Sequence, residues 1–73
     1  MDTRFLECFV AVVAHGSVAE AARQLNLAPT TLALRIRALE EEFGFALMAR
    51  AGRTARPTSA GEALALRAAG ILR

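Results

Sequence analysis

The stretch that decides the fold is Ser17–Ile36, SVAEAARQLNLAPTTLALRI. Ser17 followed by Glu20 reads as a capping box: the serine oxygen takes a backbone N–H and the glutamate reaches back to the serine amide, so a helix starts here. Val18, Ala21, Ala22 and Leu25 then form its inward stripe, and the paired alanines let another helix approach more closely than larger side chains would. This helix is short and stops near Leu25. Asn26, tolerant of left-handed backbone, turns the chain, and Leu27 dips into the core from the turn. Pro29 suits the first position of the next helix, where its missing N–H would have no partner in any case. On that helix Leu32, Ile36, Leu39 and Phe43 share one face, Thr30, Leu34, Arg37 and Glu41 the opposite one, and Thr31, Arg35 and Ala38 a flank.

The flanking segments follow outward. From Thr3 to about Ala14, Phe5, Phe9 and Val12 or Val13 recur at helical spacing beside a second stripe of Leu6, Val10 and Val13, a pattern that needs two neighbours. His15 and Gly16 end this helix, Gly16 as a left-handed stop and His15 as a residue favoured by the macrodipole. After Gly44 come short apolar pieces around a Gly and Arg tip. Ala46, Met48 and their neighbours predict one strand and Thr54–Arg56 another, with residues 51–53 at the turn. Thr58 predicts the cap of a last helix running through Leu64, Leu66, Ile71 and Leu72.

Two helices joined by a tight turn, the second presenting its N-terminal half, have helix-turn-helix geometry. A major groove admits one such helix. The same patterning also suits a three-helix core that binds no DNA, with the alanines packing and the arginines a solvated face.

Composition bounds the alternatives. At 73 residues the chain makes one domain at most, near the lower size limit for a self-supporting core, and its alanine-rich apolar content is helical in character. Its net charge of +2 is modest. All nine basic residues are arginine, which favours guanidinium forks suited to phosphates and base edges, although a GC-rich genome would produce the same bias. Arg50, Arg53 and Arg56 lie in the acid-free segment between Phe43 and Gly61, whereas Glu40, Glu41 and Glu42 oppose the helix macrodipole and would repel a polyanion. Any contact with nucleic acid would therefore use the first half of the Pro29–Phe43 helix, and the segment with Arg50, Arg53 and Arg56 is locally cationic.

Cys8 is the only cysteine, which excludes an intrachain disulfide, a thiolate metal cluster and a CxxC pair and fits a reducing, cytoplasmic setting. It is expected to pack as a small hydrophobe. Glu7 interrupts the apolar start and no small-residue cleavage site follows, so a buried helix is expected there and not a signal peptide. No apolar run approaches the roughly 20 residues of a membrane span. One His, no Tyr and carboxylates bunched at a helix end supply no nucleophile and base pair, so neither catalysis nor a cofactor is expected.

Over Phe5–Leu64 the chain resembles the N-terminal DNA-binding domain of LysR-type transcriptional regulators. The matching pieces, in order, are FVAVVAHGSVAEAARQL (Phe9–Leu25), IRALEEEFG (Ile36–Gly44), LMAR (Leu47–Arg50) and RPTSAGEAL (Arg56–Leu64). The resemblance implies a mostly α winged helix-turn-helix, with residues 1–57 as the DNA-binding domain and 58–73 as the start of a linker helix through which such domains form homodimers. It also implies a recognition helix at about 29–43 for the major groove and a wing at about 46–57 for the backbone or minor groove. The partner implied is double-stranded DNA with dyad symmetry. Members of the family sense a small-molecule effector through a separate C-terminal domain, for which 73 residues leave no room, so the chain is expected to be a piece of a longer regulator.

The departures from the family pattern bear on readout. Ala28, Ala33 and Leu34 stand where the family usually has a serine, a second serine and a basic residue, and Met48 stands where it has an aromatic. Ala19 and Glu20 replace a hydroxyl and a basic or polar residue near the phosphates. The candidate DNA contacts are Thr30 and Thr31, by hydrogen bond or methyl, and Leu34, by apolar contact to a thymine methyl. Arg35 and Arg37 are candidates for phosphate or a guanine edge, with Arg37 favoured because Arg35 sits close to the buried stripe and is equally suited to a glutamate. Arg50 is a structural or phosphate candidate, Arg53 a minor-groove or phosphate candidate at the wing tip, and Arg56 a phosphate candidate. Two rival readings are a winged-helix protein-interaction module and a nonspecific architectural DNA binder.

Overall fold

Helix α1, Thr3–His15, forms over the expected double stripe and runs through the centre of the fold. Leu6, Cys8, Phe9 and Val12 are buried, and the helix packs against three others where two stripes had suggested two neighbours. The computed structural model describes residues 3–51 and 54–71, with side chains at all of these except 50, 51, 54, 69 and 71. Gly16 ends α1 at φ 69°, and its amide donates to the Val12 carbonyl at 2.8 Å.

Helix α2, Val18–Gln24, starts at Ser17, whose extended backbone lets its Oγ accept from the Glu20 amide at 3.2 Å. The other half of the expected capping box is replaced. Both oxygens of the Glu20 carboxylate take the Arg23 guanidinium three residues on, a charge-assisted pair that outcompetes the neutral Ser17 amide. Ala21 and Ala22 are fully covered, and α2 packs against both α1 and α3.

The turn after α2 is a Schellman motif. The Leu27 amide donates to the Ala22 carbonyl at 2.8 Å and the Asn26 amide to the Arg23 carbonyl at 3.2 Å, with Asn26 itself left-handed at φ 58°. Leu27 then packs against the core, as the motif's following residue commonly does. Helix α3, Pro29–Phe43, follows at once with Pro29 in its first turn and Ala28 at the cap position, where no side chain can accept a bond. It buries Leu32, Ile36 and Leu39 and ends at Gly44, left-handed at φ 80°.

Strands β1, Met48–Ala51, and β2, Thr54–Pro57, pair antiparallel from Met48 opposite Pro57 to Ala51 opposite Thr54. The ladder starts at Met48 and not at the expected Ala46, because the Leu47 amide donates to the Glu40 carboxylate at 2.8 Å instead of to a strand. Helix α4, Ser59–Ile71, begins at the expected cap: Thr58 Oγ1 accepts from the Gly61 amide at 3.0 Å. Its Ala68 is buried and Leu64 leans on the core, whereas Leu66 faces outward; Leu72 lies outside the described residues.

Candidate nucleic-acid interface

The two sides of α3 divide by the helical period. Leu32, Ile36 and Leu39 are closed into the core, and Thr30, Leu34, Arg37 and Glu41, at spacings of three and four, are all exposed on the other side. Leu34 is 65% exposed, although nothing in the fold requires an apolar residue there. The Schellman turn joins α3 to α2, and Ala21 and Ala22 are buried beneath it in the core.

A shallow groove runs from this face toward the wing. Thr30, Ala33, Leu34 and Arg37 line its α3 side, and Met48 and Ala55 line its wing side. Arg56, next along β2, is exposed. Arg37 therefore projects at one edge of an otherwise mostly apolar trough, whereas Arg56 lines a separate hollow with Val13, Gly16 and Glu62.

Arg35 behaves differently from Arg37. It is half-buried on the flank, its guanidinium carbon lies 5.6 Å from the centre of the Phe5 ring, and one of its nitrogens approaches Cys8 Sγ at 3.8 Å. It ties α3 to α1. Thr31 is half-buried on the same flank as Arg35. Arg50 occupies β1 opposite Ala55, with its side chain not described, and Arg53 lies outside the described residues.

A positioning group appears that charge reasoning alone had read otherwise. Of the three glutamates at the end of α3, Glu40 turns inward to the wing. One of its carboxylate oxygens accepts from the Leu47 amide at 2.8 Å and from the Met48 amide at 3.3 Å. On the other side Thr58 donates its amide to the Leu47 carbonyl at 3.0 Å and its hydroxyl to the Ala46 carbonyl at 2.7 Å. Leu47, fully buried, is thereby held by α3 through its N–H and by the start of α4 through its C=O. The approach is close enough that a Cβ on Gly61 would sit 2.1 Å from the Leu47 carbonyl oxygen. A two-stranded ribbon is marginal alone, and this clamp fixes its base. The sequence signal that could have found it is the first glutamate of the run, one turn before Gly44, followed seven residues later by a lone leucine.

Among the described residues no group of three or more His, Cys, Asp and Glu side chains could hold a metal ion, and no helix is long and apolar enough to cross a membrane.

The family model described as bacterial regulatory helix-turn-helix protein, lysR family, matches residues 3–62. The chain belongs to the LysR family. An uncharacterized regulator of this helix-turn-helix type from Azotobacter vinelandii, from an ibpB-leuC intergenic region, is 43% identical over 72 residues, covering 99% of this chain and 50% of its own. A probable cat1 operon transcriptional activator of Acinetobacter lwoffii is 44% identical over 61 residues, 84% of this chain and 20% of that protein. The chain thus spans half or less of these relatives.

The fold is that of the family's winged-helix DNA-binding domains. The BenM DNA-binding domain solved with catB site 1 DNA matches at a TM-score of 0.94 with 38% identity, covering 99% of this chain and 80% of that one. The CbnR DNA-binding domain solved with DNA matches at 0.93 with 35% identity, covering 99% and 83%.

Proposed function

We propose that this LysR-family chain binds double-stranded DNA in a sequence-specific manner, with the outward face of α3 in the major groove and the wing on the backbone or minor groove. The observation that carries the reading is the exposed row of Thr30, Leu34 and Arg37 on a helix whose opposite row is sealed in the core. Solved relatives with this fold were obtained on DNA, which supports the same use here. Thr30 and Leu34 face base edges, Arg37 reaches a guanine edge or a phosphate, and Arg56 contacts phosphate from the wing. Arg50 and Arg53 join it as backbone or minor-groove candidates on their place in the sequence, and Thr31 adds a hydroxyl at the flank. Arg35, half-buried against Phe5 and Cys8, braces the recognition helix on α1.

Residues 58–73 begin the helix by which two copies pair. Among the described residues, Leu66, 79% exposed, is a large apolar side chain available for that contact. A twofold dimer repeats its contacts on two half-sites, so the operator carries dyad symmetry. The role is transcription regulation in the cytoplasm without chemistry by this domain, and any small-molecule effector acts through a separate C-terminal domain of the kind the family carries.

Selection from a genomic DNA pool followed by sequencing tests this reading, with wild type beside Arg37→Ala and Arg56→Ala at two salt concentrations. The expected result is an enriched dyad motif that relaxes at one position in Arg37→Ala, and an Arg56→Ala loss spread evenly over sequences with a smaller salt dependence. Salt-sensitive retention without enrichment would point to architectural binding. No retention by the folded protein would bring the protein-interaction reading forward.

A further inference from the structure

Resting on that use of α3, we propose that Leu34 reads the C5-methyl group of a pyrimidine, so that the domain prefers thymine at one step and accepts 5-methylcytosine there in its place. Leu34 sits in the middle of the outward row, four residues after Thr30 and three before Arg37, and takes no part in the core. Its exposure of 65% leaves its methyl groups free to meet a partner. Around it the groove is apolar: Ala33 beside it and Met48 and Ala55 across it, with the Thr30 hydroxyl and the Arg37 guanidinium as polar handles and no acid in the lining.

A trough of this composition suits one occupant best. Its cationic edge favours a polyanion, and its floor is continuous with the face assigned to the major groove. In that groove most base-edge groups are hydrogen-bond donors or acceptors, and the thymine C5-methyl is the apolar exception. A donor or acceptor pressed against Leu34 would lose water and gain no bond, which disfavours those bases. A methyl group pressed there gains apolar burial.

Leucine has no polar atom beyond its backbone, so it cannot sense whether the neighbouring ring atom carries the thymine oxygen or the cytosine amino group. A cytosine methylated at C5 offers the same apolar group in the same position. Leu34 therefore makes affinity responsive to cytosine methylation at that step, a property that the basic or hydroxyl side chains able to read donors and acceptors would not confer.

The test uses the duplex enriched by selection. Each thymine of a half-site is replaced in turn by deoxyuridine, which removes only the methyl, and Kd is measured for wild type and for Leu34→Ala, a substitution at an exposed position. One replacement is expected to weaken wild type about fourfold per half-site and to leave Leu34→Ala unchanged. At the same step, a 5-methylcytosine pair is expected to bind wild type about fourfold more tightly than an unmethylated cytosine pair, again with no difference for Leu34→Ala. Specific binding that is indifferent to every deoxyuridine overturns the methyl reading and leaves the DNA-binding proposal standing. A deoxyuridine effect that persists in Leu34→Ala assigns the methyl to another side chain and overturns the role of Leu34. A folded protein that binds no duplex overturns both.

Discussion

The two sides of α3 carry leucines under opposite constraints. Leu32 and Leu39 are wholly enclosed in the core, whereas Leu34, on the same helix, stands 65% exposed. Folding accounts for the first two and not for the third. An exposed leucine taken singly is ordinary, but this one lies within a row whose other members are a threonine, an arginine and a glutamate, on the face that the turn after α2 presents outward. The difference separates what the helix needs in order to be held from what it holds out to a partner.

Leu39→Ala removes a fully buried side chain from a small core and is expected to cost about 2–5 kcal/mol, enough to leave much of a domain this size unfolded. The fall in urea midpoint measures it. A loss well below that range would mean the inward face is less tightly closed than its packing indicates.

Next comes the clamp between helix and wing. Glu40→Ala strips the Leu47 and Met48 amides of their common acceptor and is expected to cost about 1–3 kcal/mol, while Glu40→Gln, which keeps one acceptor oxygen, recovers most of it. Because the wing is expected to contact backbone, Glu40→Ala should also weaken binding at all sequences alike. A change in sequence preference would instead tie Glu40 to base readout. The smallest effect lies outside the core: Leu34→Ala should change stability by no more than about 0.5 kcal/mol while changing DNA preference, and a large stability loss would return Leu34 to the structural side of the helix.

Much of this architecture is legible in the sequence because its causes are local. Ser17 caps one helix, Asn26 tolerates the left-handed turn, Pro29 starts the next helix, Gly44 stops it and Thr58 caps the last. Each works through groups only a few residues away. The spacing of Leu32, Ile36 and Leu39 fixes the inward face in the same way.

What the sequence does not disclose depends on contacts between distant segments. Arg35 and Arg37 differ by two positions and carry the same group, yet Arg35 is drawn to Phe5 and Cys8 on another helix, 27 residues from Cys8 along the chain. Nothing local separates them except the flank position. Glu40 and Glu41 pose the same problem: adjacent carboxylates, of which only the first meets the incoming Leu47 amide. Charge counting treats the pair as one repulsive patch, whereas the fold makes Glu40 a fastening of the wing. The start of β1 shifts for the same reason, since Leu47 is satisfied across the chain instead of along a strand.

The central claim is that the outward face of α3 is the surface that meets DNA. Its most direct test is a two-dimensional NMR titration of the labelled chain with the duplex that selection enriches. The account predicts amide and methyl shifts concentrated at Thr30, Ala33, Leu34, Arg37 and the wing, with Leu32, Leu39 and the buried side of α1 nearly unmoved. Shifts centred instead on α1 and the exposed side of α4 around Leu66, with the Leu34 methyls unchanged, would contradict it.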